Sequence, residues 1–206
     1  MKKSLYLGTN SYVKPFQVFI RSKTCSIKSN SSDDNDLNID DSDTRGLIDY
    51  IDYGLEANSF LLGIGVLSYP SAENLAHLLI ERQGTYFSQV KDDLIQIKLR
   101  VYINCLKQLA AVSNLAQQLN VEPLRTDLIN KPWCLGYQTI EKGDGSKDRI
   151  FKIAKPSDIY LDDDHQCAID LRPLCAPDEP ELTRLYERFG SKWISESVKR
   201  TLVHRG

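Results

Sequence analysis

The amino-acid sequence predicts an α+β fold, with a helical segment first, a small antiparallel sheet next and helices again towards the C-terminus. Three observations carry this. SYPSAENLAHLLIERQG and the stretch 90–109 place apolar residues at helical spacing. WCLGYQTI and RIFKIA are β-rich runs separated by EKGDGSKD, whose Gly and Asp residues suit a hairpin loop. DEPELTRLYERFG then returns to a helical period.

The elements follow in chain order. Residues 1–28 receive no assignment: SYVKPFQVFIR alternates like a strand, but no pairing partner is evident nearby. Residues 29–45 open with SNSSDDNDLNIDDSD, a stretch with only acidic charge and little apolar surface, so they read as a disordered acidic linker that cannot offset its ordering entropy. The α+β module therefore spans 46–206. LIDYIDYGL reads as a short helix through Leu47, Ile48, Ile51 and Leu55, and SFLLGIGVL as a buried strand or turn. The next helix takes Ser71 as N-cap, with Leu75, Leu78 and Leu79 on one face and Gly84 just past its end. In the long helix Val90, Leu94, Ile97 and Val101 form a ridge that Tyr102, Leu106 and Leu109 widen, and Ser113-Asn114 marks a break. LRTDLI is a short helix stopped at Lys131, because a residue before proline disfavours the α region. DIYL adds a third strand that ends at the aspartates. The following helix has Pro180 early, Leu182, Leu185, Tyr186 and Phe189 inward and Gly190 at its end, and a last short helix carries Ile194 and Val198.

Composition narrows the function classes. The 206 residues are 41% hydrophobic and 26% charged with a formal net charge of −2, which gives no electrostatic case for nucleic acid. No apolar run approaches the ~18 residues of a transmembrane helix. Five cysteines without a CxxC pair, behind a start broken by Gly8, Asn10, Lys14 and Pro15, point to reduced thiols and a cytoplasmic or nuclear location. Asn30-Ser31-Ser32 is then left unglycosylated.

Several residues invite a chemical reading. In IYLDDDHQCAIDL, Asp162, Asp163 and Asp164 stand beside His165 and Cys167. An EF-hand loop starting at Asp162 requires Gly at its sixth position and Glu at its twelfth, where Cys167 and Pro173 stand. His165, Cys167 and Cys175 lack a familiar zinc spacing, and three adjacent aspartates in a turn cannot all face one ion. A turn between strands, solvated by charge, accounts for the cluster. Cys134, between Trp133 and Leu135, reads as a buried thiol rather than a nucleophile, and His77 as a residue at the edge of a helix contact. The glycines at 63–65 and GDGS at 143–146 lack the spacing of phosphate-binding loops. No catalytic, cofactor-binding or metal-binding residue is assigned.

FLLGIGVLSYPSAENLAHLLI, a Tyr-Phe pair, a long helix, KPWCLGY, DIYLDDD and CAPDEPELTRLYERFGSKWISESVKR follow one another over residues 46–200. This series resembles the region downstream of the ATPase in large sacsin-like proteins, especially the fungal ones, which carry an Hsp90/histidine-kinase-type ATPase module. Phe189 departs from the Leu usual in that pattern, and Trp193 stands where a smaller residue is common. Asp162 and Asp163 match paired aspartates that end a strand there, while His165 and Cys167 match no motif of it. The resemblance implies a chaperone-related, non-catalytic scaffold with a protein partner or client. The ATPase's D-x-G-x-G loop and Asn-bearing helix are not found in these 206 residues, so no catalytic residue is carried over. Two rival expectations are a small metal-dependent enzyme built on 162–165 and an adaptor whose acidic linker binds a basic partner.

Overall fold

The computed structural model describes residues 5–6, 12–13, 18–20, 46–88, 92–113, 119, 122–141, 143 and 147–198. The expected linker at 29–45, Asn30 and Val90 lie outside them. The architecture is α+β, as the sequence predicts, and the chain divides into two compact units, Met1–Cys105 and Leu106–Gly206.

In the first unit, Leu5–Tyr6 and Tyr12–Val13 pair antiparallel. Val18–Ile20 pairs in parallel with Asp49–Ile51, and the Ile20 N–H donates to the Leu67 carbonyl at 2.9 Å. Val18, Ile20, Ile51, Leu61 and Val66 form one buried cluster. This overturns the helix expected for LIDYIDYGL. Its middle is a strand because a partner lies about thirty residues upstream in sequence, and the ladder outweighs the local apolar spacing. Asp49 holds the strand's start in place: its carboxylate accepts from the Gly46 N–H at 3.1 Å and from Arg82 at 2.8 Å, both of the charged groups being largely buried.

The run SFLLGIGVL, expected to be a buried strand or turn, begins as the second half of a helix, Leu55–Gly63, and turns at Ile64 and Gly65. LEANSFLLG has no β-branched residue, so helix formers decide its conformation. Its start is organised by Asp52, whose Oδ1 accepts from the Gly54 N–H at 3.0 Å and from Asn58 Nδ2 at 2.8 Å, while Asn58 Oδ1 accepts from the Tyr53 N–H at 3.0 Å. Gly54 enters with φ 87°, a conformation glycine adopts without strain.

The helix Ala72–Phe87 begins as expected, with Ser71 Oγ accepting from the Asn74 N–H at 3.1 Å and Leu75, Leu78 and Leu79 buried. It does not stop at Gly84. Three further residues stay helical because Tyr86 and Phe87 pack on Tyr102, with centroids 6.5 and 5.3 Å away, which offsets the roughly 1 kcal/mol that an internal glycine costs. The Lys98 amine donates to the Tyr86 carbonyl at 2.6 Å and lies 4.4 Å from that ring's centre, satisfying the helix end. On the long helix Asp92–Ser113 the buried residues include Leu99, Tyr102, Leu106 and Leu109, spaced at helical intervals. Leu94 and Ile97, expected in the ridge, are exposed. The described part of this helix runs to Ser113, and the Asn114 of the expected break lies outside the described residues.

Most of the expected elements of the second unit are present, but the last short helix, Ile194–Ser197, stops before Val198, which is extended, and the helix His165–Leu171 was not expected. The helix Leu124–Asn130 ends where Lys131 turns extended before Pro132. Cys134–Glu141 and Lys147–Ala154 form the expected antiparallel hairpin, Cys134 opposite Ala154 and Glu141 opposite Lys147. Gly136 is required there: a Cβ would stand 2.6 Å from Leu174 Cγ. The third strand, Tyr160–Leu161, pairs in parallel with Lys192–Trp193, and Cys175 bridges it to the hairpin by pairing with both Tyr137 and Tyr160. The helix Pro180–Phe189 has Pro180 in its first turn and Gly190 left-handed at its end, φ 114°. Its Leu182, Leu185, Tyr186 and Phe189 are all buried. The Tyr186 hydroxyl accepts from the Leu135 N–H at 2.9 Å and donates to the Leu135 carbonyl at 3.2 Å, and Trp133 packs edge-on against Tyr186 and Phe189. The Trp133 indole N–H donates to the Leu128 carbonyl at 2.7 Å, and Ser191 Oγ donates to the Pro156 carbonyl at 2.7 Å.

Candidate functional site

The aspartates lie between a strand and a helix, not between two strands. Leu161 is buried in its short strand, and His165–Leu171 is helical. Each carboxylate faces a different group. Asp164 is the helix N-cap, its Oδ1 accepting from the Cys167 N–H at 3.2 Å. Asp163 turns towards the C-terminal helix Ile194–Ser197: the Ser195 N–H donates to its Oδ1 at 3.0 Å and the Ser195 hydroxyl donates to its Oδ2. The Ser195 hydroxyl, followed by its amide, holds the Asp163 carboxyl below the usual carboxylate range. Asp162 Oδ2 is 3.5 Å from Nδ1 of the highly exposed His165, an ion pair when that imidazole is protonated. The loop thus ties one strand end to two helix starts. Among the described residues, no group of three or more His, Cys, Asp or Glu residues is placed to hold a metal ion.

The remaining sequence candidates do not converge on this loop as a reactive set. Cys134 is fully buried in the hairpin, and burial pushes its thiol well above the ordinary value. Burial pushes the Cys105 thiol up to about 12. Cys175 rises to about 11 through burial and the nearby charge of Asp162. Thiols shifted this way carry almost no thiolate at neutral pH and are poor nucleophiles. His77 is half-buried on the helix Ala72–Phe87, at the edge of its packed face, and Gly63 and Gly65 end the Leu55–Gly63 helix and its following turn. Gly143 lies between the hairpin strands.

A different feature, which sequence reasoning missed, is the surface of the Leu55–Gly63 helix. Leu61 is its buried residue, whereas Leu55 is 85% and Phe60 67% exposed, and Leu62, Ile64 and Leu67 are also exposed. Scattered apolar residues are ordinary on a protein surface, but five large exposed ones within residues 55–67 mark a candidate contact site. A signal was available: the run is apolar without helical or strand period, and helices that are apolar all round are normally covered.

The family model described as "Protein of unknown function (DUF3684)" matches residues 14–206, which includes most of the first unit, all of the second and both of these surfaces. The chain belongs to this family. No curated protein and no solved structure matches it. The DUF3684 match begins before the strand Val18–Ile20, in keeping with that strand's place in the first unit's core. Among the described residues of this DUF3684 chain, no helix is long and apolar enough to cross a membrane.

Proposed function

We propose that this DUF3684 chain is a non-catalytic scaffold or interaction module that works by presenting the Leu55–Gly63 helix to a protein partner or client. The observation that carries this reading is the exposure of Leu55, Phe60 and Leu62 on a helix with a single buried anchor, Leu61. Covering such a surface gains about 25 cal/mol for each Å² removed from water, which a partner sets against the cost of association. Kinship with the region downstream of the ATPase in sacsin-like proteins is the finer part of the proposal. It rests on the collinear order of motifs from FLLGIGVL to ISESVKR, and it makes the module chaperone-related.

The non-catalytic reading is tested with nucleotide. The purified chain is expected neither to release phosphate from Mg-ATP nor to melt at a higher temperature in its presence, since a ligand that binds the native state raises the melting point by linkage. Turnover, or a reproducible shift of several degrees, overturns it.

A further inference from the structure

The Leu55–Gly63 helix lies in a stretch of one-signed charge. Residues 46–81 contain Asp49, Asp52, Glu56, Glu73 and Glu81 and no lysine or arginine. Asp49 is neutralised by Arg82, which lies just beyond that stretch, at 2.8 Å, and Asp52 is bound to Asn58. Glu56 is exposed in the helix's first turn, beside Leu55.

Helical geometry arranges the apolar side chains around a low floor. Leu55 and Leu62, seven residues apart, fall on one flank, and Phe60 falls on the other, roughly 150° away at 3.6 residues per turn. Between the flanks run Glu56, Ser59 and Gly63, two of them small. The Ser59 hydroxyl is turned back onto its own helix, donating to the Leu55 carbonyl at 2.8 Å. Ser59 and Gly63 therefore offer little obstruction to a ridge of side chains laid along them, and Glu56 stands at the N-terminal end of the floor, in reach of a cation bordering that ridge. Ile64 and Leu67 extend the apolar surface past the helix end.

Charge decides among the occupants. A patch of this kind offers on the order of a few hundred Å², less than the ~800 Å² a side of a standard stable interface, so electrostatic complementarity must supplement the apolar contact. A second copy would set the exposed Glu56 against its own kind. A cationic segment would meet the opposite sign. We infer that the Leu55–Gly63 surface, with Ile64 and Leu67, docks an amphipathic polypeptide helix whose apolar ridge is bordered by Lys or Arg. This rests on the interaction-module reading and names its partner's chemistry.

The test uses the full chain and two synthetic helical peptides with the same leucine pattern, one bordered by lysine and one by glutamate, each followed by fluorescence anisotropy. The expected result is about tenfold tighter binding of the Leu/Lys peptide than of the Leu/Glu peptide, a difference that shrinks as salt is raised. Leu55→Ser with Phe60→Ser should weaken Leu/Lys binding about tenfold without moving the melting temperature by more than a few degrees, and Glu56→Lys should weaken it severalfold. Phe60→Ser alone serves if the double variant fails to fold. Equal binding of the two peptides, or Leu/Lys binding untouched by these substitutions, overturns the inference. Sedimentation separates its failure from that of the broader reading. A wild-type dimer dispersed by Leu55→Ser/Phe60→Ser keeps the interaction surface but removes the cationic partner. A monomer that binds neither peptide removes both.

Discussion

The helices Leu55–Gly63 and Pro180–Phe189 are nearly the same length, yet they use their apolar residues in opposite ways. In Pro180–Phe189 the residues Leu182, Leu185, Tyr186 and Phe189 share one face, and all are buried. In Leu55–Gly63 the apolar residues are spread around the axis, so one neighbouring surface can cover only Leu61 and the rest stay in water. A clean period marks a helix that completes its own unit's core. Apolar content without a period marks burial that the helix's own unit leaves unfinished, which is the basis for assigning it to a partner.

Substitution in the two regions sharpens the contrast, beginning with the largest effect. Trp133→Ala, which empties the site that Tyr186 and Phe189 pack against, is expected to cost about 3–5 kcal/mol in urea unfolding. Tyr186→Phe leaves the buried Leu135 N–H without its acceptor and should cost about 1–3 kcal/mol. Leu55→Ser and Phe60→Ser, equally drastic in chemistry, should each stay within about 1 kcal/mol. A loss of about 3 kcal/mol from Phe60→Ser would erase the comparison, because that residue would then belong to the core.

A smaller effect, with a pH signature, is expected at the aspartate loop. Ser195 depresses the Asp163 carboxyl, so its contribution is fully present above the unfolded value of about 3.9 and is lost as pH falls through the lower folded value. Ser195→Ala should therefore lower the melting temperature slightly at neutral pH, by well under the Trp133→Ala effect because the pair is solvent-exposed, and the difference should vanish in strong acid. A difference that persists unchanged below the carboxylate range would assign Ser195's role to packing.

Legibility in the sequence followed the range of the interactions. In the second unit the hairpin and the helices Leu124–Asn130 and Pro180–Phe189 were readable, since Pro132, Pro180 and Gly190 punctuate them and their periods are clean, whereas the short helix His165–Leu171 was not. The parallel pairing of Tyr160–Leu161 with Lys192–Trp193 was not, because such a pairing joins strands about thirty residues apart in sequence and leaves no local mark. The same reason hid Asp49–Ile51, which looks helical until Val18–Ile20 is laid beside it. The Leu94 and Ile97 ridge failed differently: two apolar rows were available on the long helix, and period alone does not say which one is covered. At the aspartate cluster the turn chemistry was readable, but the cap that Asp164 forms on His165–Leu171 and the tether from Asp163 to Ser195, which spans 32 residues, required the fold.

The central claim is that the Leu55–Gly63 helix is the place where a partner sits. Hydrogen–deuterium exchange on the full chain, with and without saturating Leu/Lys peptide, tests it most directly, because slowed exchange reports which amides become protected. The account predicts slowing concentrated in residues 55–67, with the hairpin and the Pro180–Phe189 helix unchanged. Protection that falls instead on the aspartate loop or the hairpin, with 55–67 exchanging as fast as before, would contradict it.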